Sequence, residues 1–62
     1  LMEELLERIL TPTQQKIVQL REYEGRSYAE VAQMMGMHEP AVRQQLSRAR
    51  KAIRNEWRKR KH

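Results

Sequence analysis

The side chains of this chain that can do chemistry are mostly cationic or hydrogen-bonding, and they come in groups. Arg43, Gln44, Ser47, Arg48, Lys51, Arg54 and Arg58 recur at intervals of three and four residues, the spacing that lines up one face of a helix. Arginine and glutamine at the start of such a face can make paired hydrogen bonds to guanine and adenine edges, and Ser47 and Arg48 follow one turn on. Arg43, Gln44, Ser47 and Arg48 are therefore the expected base-reading set. Lys51 and Arg54 lie further along, where a straight helix leaves a curved groove, so they suit phosphate oxygens, with a solvated basic face as the plain alternative. A second group, Arg26-Ser27-Tyr28, stands where a helix should begin, and free N–H groups beside a guanidinium suit a phosphate.

Other chemistries lack their residues. There is no Cys, so neither a disulfide nor a thiolate metal site is available. His38 and His62 are too few to ligate zinc, and no metal or other cofactor is expected. The N-terminal acids Glu3, Glu4 and Glu7 read as the surface of a helix and not as a catalytic pair, so the chain is not expected to be an enzyme. No apolar run is long enough to cross a membrane, and no membrane partner is expected. The chain opens Leu1-Met2 and not on an initiator Met, which fits a piece of something longer.

Charge separates along the chain. Residues 1–30 carry six acids and four bases, a net of −2, whereas residues 31–62 carry two acids and nine bases, a net of +7, which together give the chain's +5. A polyanionic partner meeting that half is the natural inference.

Four helices must position these groups, in an all-α domain spanning residues 1–62. Met2, Leu5, Leu6, Ile9 and Leu10 repeat at helical spacing, predicting a short helix over 2–9. Thr11-Pro12-Thr13-Gln14 is a capping box with proline at the first helical position. It opens a helix over 12–24, with Ile17, Val18, Leu20 and Tyr23 inward and Gly25 as its terminator. Ser27-Tyr28-Ala29-Glu30 opens another over 28–35, with Tyr28, Val31, Ala32 and Met35 inward. Gly36 supplies the turn, and a long last helix covers 39–60. Glu39 before Pro40 is one candidate cap for it; a Met37–Val42 staple favours His38. Val42, Leu46, Ala49, Ile53 and Trp57 form its inner stripe. Arg58-Lys59-Arg60-Lys61 reads as a basic end suited to the helix dipole. The helix over 28–35, the glycine turn and the last helix have helix-turn-helix spacing, with the last as recognition helix.

Residues 10–54 resemble region 4 of bacterial sigma factors of the extracytoplasmic-function group, within the sigma-70 superfamily. The matching pieces are Leu10-Thr11-Pro12, Leu20-Arg21-Glu22, Glu24-Gly25-x-Ser27-Tyr28, Glu30-Val31-Ala32, Gly36-Met37, Val42-Arg43 and Leu46-Ser47-Arg48-Ala49-Arg50. The resemblance implies major-groove recognition of the minus-35 promoter element during transcription initiation. It further implies docking on the β-flap of the RNA polymerase core, an anti-sigma factor as a further partner, and a cytoplasmic location. By matched position it assigns DNA reading to Arg43, Gln44, Ser47 and Arg48. Region 2 of such factors is absent from this sequence. The output domain of LuxR-type response regulators is similar too, sharing the Leu-Thr-Pro opening, but it usually lacks the Ser-Arg-Ala-Arg run. A module acting mainly through protein partners is the other alternative. His38 and Glu39-Pro40 depart from the family pattern at the start of the last helix, and Arg26 replaces a hydrophobe.

Overall fold

The computed structural model describes the backbone of residues 2–60 and the side chains of residues 4–59. The side chains of Met2, Glu3 and Arg60, and residue Lys61, to which the sequence assigned places in the first stripe, the acidic helix surface and the basic end, lie outside the described residues, as does His62. The chain is all-α: α1 (Met2–Ile9), α2 (Pro12–Val18) continued by a π-helical turn (Gln19–Tyr23), α3 (Tyr28–Met35) and α4 (Glu39–Arg60).

Both capping boxes form. Thr11 Oγ1 accepts from the Gln14 N–H (3.1 Å) while Gln14 Oε1 accepts from the Thr11 N–H (3.2 Å). Ser27 Oγ accepts from the Glu30 N–H (3.1 Å), and Glu30 Oε1 accepts from the Ser27 N–H (3.2 Å). Each box satisfies two of the donors that a helix start leaves without intrahelical partners. At α4, the His38 carbonyl accepts from the N–H groups of Ala41 (3.0 Å) and Val42 (3.1 Å), which makes His38 the cap and leaves Glu39 in the first turn.

The expected α-helix over 12–24 is corrected in its second half. From Gln19 the chain widens into a π turn, and the Glu24 N–H donates to the Gln19 carbonyl at 3.1 Å, five residues back. The wider turn changes the angular position of every side chain after Leu20. Leu20 stays buried, Arg21 becomes half-buried, and Tyr23, expected inward, is 69% exposed. Gly25, at φ +69°, closes the segment, and the Arg26 N–H reaches back to the Leu20 carbonyl (3.1 Å). Gly36, at φ +65°, closes α3 with the Met37 N–H on the Ala32 carbonyl (2.9 Å). A Cβ at either glycine would meet nothing within 4 Å, so the left-handed backbone itself is what calls for glycine there.

One hydrophobic cluster joins the elements: Leu10, Ile17, Val18 and Leu20 meet Val31 and Ala32 of α3 and Val42, Leu46 and Ala49 of α4. α2 and α3 both pack on α4, and α1 packs on α2 and α4. A hydrogen bond from Gln14 Nε2 to Gln45 Oε1 (3.2 Å) adds a polar link between α2 and α4. The predicted inner stripe of α4 holds only in part. Val42, Leu46 and Ala49 are buried and Ile53 is half-buried, but Trp57 is 55% exposed. The reason is length. The 22 residues of α4 span about 33 Å, while its residues that join or pack on the core run only from Val42 to Ile53. The end of α4 therefore outruns the core that would cover Trp57.

Candidate nucleic-acid interface

α3, the Gly36 turn and α4 set the exposed face of α4 beside the start of α3. At about 100° per residue, Arg43, Ser47, Arg50, Lys51, Arg54 and Arg58 fall within roughly 100° of arc. Together with Tyr28 and Asn55 they line an open groove of about 390 Å³ whose apolar floor includes Leu46. Of the expected base-reading residues, Arg43 and Ser47 lie in this groove. Gln44 and Arg48 are exposed but turn further round the helix, outside it. Of the expected phosphate residues, Tyr28, Lys51 and Arg54 belong to the groove and Arg26 and Ser27 do not.

Local contacts grade these cations. Arg43 Nη2 lies 3.7 Å from Glu39 Oε1, one turn back, and the Arg43 guanidinium sits over the Tyr28 ring with Cζ 5.0 Å from its centre. Arg21 also sits over that ring, at 4.5 Å. Its Nη1 donates to the Arg26 carbonyl (3.1 Å), and its Nε is buried with no hydrogen-bond partner. Tyr28 is thus a shared aromatic platform for two guanidiniums, each contact worth about 0.5–1 kcal/mol at an exposed site.

Arg50 donates through Nε to Glu22 Oε1 (3.2 Å), with Nη2 on the same oxygen. This hydrogen-bonded carboxylate raises the arginine's pKa above its ordinary value and ties α4 to the π turn. Arg26 is held by two acids, Glu24 Oε1 at 2.9 Å and Glu30 Oε2 at 3.5 Å. At the start of α3 the Ser27 N–H is taken by Glu30, so that end offers a phosphate fewer donors and more negative charge than the sequence suggested. Lys51, Arg54 and Arg58 make no ion pair among the described residues.

Arg50 and Arg21 were missed from sequence. Arg50 stands seven residues after Arg43, so the helical wheel already placed it on the same line. The position of Arg21 over Tyr28 depends on the π turn, which no 3.6-residue pattern announces. Met34, Met35 and Met37 divide: Met35 and Met37 pack on the core, and Met34 is 52% exposed.

A second groove, of about 440 Å³, shares no residue with the first. It runs between α1 and the α2–π segment, with Leu6, Val18 and Tyr23 as its apolar part and Glu7 and Glu24 as its acids. Among the described residues no helix is long and apolar enough to cross a membrane, and no cluster of acids and histidines can hold a metal ion.

Residues 2–53 match the family model described as sigma-70, region 4. No curated protein and no solved structure matches the chain.

Proposed function

The chain belongs to the sigma-70 region 4 family, a helix-turn-helix DNA-binding domain of transcription initiation that binds the minus-35 element, and from this premise we propose how its own residues divide that work. α4 enters the major groove by its N-terminal turns, with Arg43, Gln44, Ser47 and Arg48 toward base edges. Tyr28, Lys51 and Arg54 meet phosphates, joined by Arg58. Arg26 and Ser27 make a weaker phosphate contact, because Glu24 and Glu30 already hold Arg26 and cap Ser27. Residues 1–62 act as one domain, from a sigma factor of the extracytoplasmic-function group working in the cytoplasm.

The observation that carries this reading is the unbalanced charge of α4. Lys51, Arg54 and Arg58 project from one face, with no carboxylate partner among the described residues, beside a glycine-turned α3. Selecting bound sites from a random duplex library tests it. An enriched motif is expected, and recovery of unselected sequence would refute base reading.

The second groove favours a protein partner as well. Leu6, Val18 and the exposed Tyr23 offer apolar area between Glu7 and Glu24, which suits an apolar segment with basic flanks. The RNA polymerase β-flap is the occupant we propose, with an anti-sigma factor competing for the same area. Tyr23→Glu, at a position 69% exposed, should weaken binding to the flap while leaving duplex binding intact.

A further inference from the structure

Glu39 is an anomaly on a helix that meets a polyanion. It stands in the first turn of α4, half-exposed, with its Oε1 3.7 Å from Arg43 Nη2. A carboxylate there favours the helix dipole, but it opposes phosphates and the acceptor edges of guanine and thymine. The base-edge groups complementary to it in the major groove are amino donors, above all cytosine N4. Arg43 presents the opposite pattern, because a guanidinium only donates and fits the O6 and N7 acceptors of guanine.

The two side chains are one turn apart, about 6 Å along the helix, against a rise of about 3.4 Å per base pair. They therefore span one or two steps of a duplex. Tyr28 limits where Arg43 can go, since the guanidinium already rests over its ring at 5.0 Å. Arg43 has five N–H donors in its fork, so a contact to Glu39 through Nη2 leaves others for a base.

Resting on the DNA-reading function above, we propose that Glu39 and Arg43 form one specificity-determining unit. Arg43 reads a guanine, and Glu39 accepts a hydrogen bond from the amino group of a cytosine one or two base pairs away. The carboxylate acts in two directions. It rewards cytosine at its own position, and it penalises every duplex that offers an acceptor there, which lowers indiscriminate binding. Sequences lacking that cytosine leave the desolvated Glu39 with Arg43 but without a partner on the base edge.

The test is site selection from a random duplex library with the whole chain as wild type, Glu39→Ala and Glu39→Gln, with thermal melting alongside. The wild type should enrich a guanine with a cytosine one or two pairs away. Glu39→Ala should keep the guanine and lose about tenfold preference at the cytosine, while binding a scrambled duplex several-fold more tightly. Glu39→Gln, close to the same shape, should move that position toward adenine, which glutamine contacts through N6 and N7. A lower melting temperature with an unchanged motif would make Glu39 a helix-start residue alone and overturn the unit. A wild-type motif without the cytosine would overturn it too, leaving DNA reading intact. No motif from the wild type would remove both.

Discussion

Arg43 and Arg54 are arginines on the same line of α4, so replacing either by alanine changes net charge equally, and their surroundings make the expected losses different. Arg43 stands in the first turns, already facing Glu39 and Tyr28. Arg54 lies about 16 Å further along the axis, with no carboxylate partner among the described residues. Each neutralised phosphate contributes about −0.9 to the slope of log K against log salt. Among the described residues, Lys51, Arg54 and Arg58 are the groove cations without a carboxylate partner, so the wild-type slope should be near −2.7. Arg54→Ala should bring it to about −1.8 and weaken a selected site and a scrambled duplex alike. Arg43→Ala should cost about 1–3 kcal/mol on the selected site, much less on the scrambled one, and relax one base preference. The assay is an anisotropy titration of both variants on both duplexes between about 50 and 200 mM salt. Equal losses on both duplexes for both variants would refute the division between reading and anchoring. A wild-type slope near zero would refute the electrostatic account altogether.

Three further outcomes test the fold. Ala32 is 6% exposed between α3 and α4, so Ala32→Leu should overpack the corner and cost about 1–3 kcal/mol; an unchanged melting curve would mean the helices do not cross there. Gly36→Ala should cost about 1–2 kcal/mol from left-handed strain alone, because a Cβ meets nothing within 4 Å, and denaturant titration should find Gly36→Asn milder. Glu22→Gln should lower stability by less than about 1 kcal/mol, since the Arg50 pair is exposed, and the difference should fade in high salt. The raised pKa of Arg50 adds stability that is present below arginine's ordinary pKa and lost only above it, so the arginine should bring no pH dependence to melting near neutrality.

Helix starts were the most legible part of the sequence because their signals are local. Thr11 with Gln14 and Ser27 with Glu30 form their capping bonds as written, and the two glycines adopt the positive φ that stops a helix. Legibility fell where a position depends on partners distant in sequence. The π turn at Gln19–Tyr23 breaks the 3.6-residue count, so Tyr23 faces outward and Arg21 reaches Tyr28. Trp57 continues the periodicity of the α4 stripe, but burial also needs a neighbour, and the α4 residues that pack on the core end at Ile53 while Trp57 is 55% exposed. The site shows the same contrast. The cationic face followed from spacing alone, whereas Glu22, the carboxylate that compensates Arg50, stands 28 residues from it and reaches it only through the fold.

Carboxylates give α4 an electrical gradient along its length. At its N-terminal end Arg43 faces Glu39, and in the middle Arg50 faces Glu22; beyond them no carboxylate among the described residues pairs with Lys51, Arg54 or Arg58. A reading helix that was uniformly cationic would bind any duplex strongly, because phosphate neutralisation is indifferent to sequence. Placing acids beside the proposed base-reading turns lowers that indifferent attraction where discrimination is made, and leaves it where the helix only anchors. Hydrogen-bond geometry is then the main contribution of the first turns, and charge that of the last. The gradient also accounts for the early acids of a basic chain. Glu22 lies in the half of the sequence with negative net charge, and the fold brings it onto α4, where it trims the positive face proposed to meet DNA.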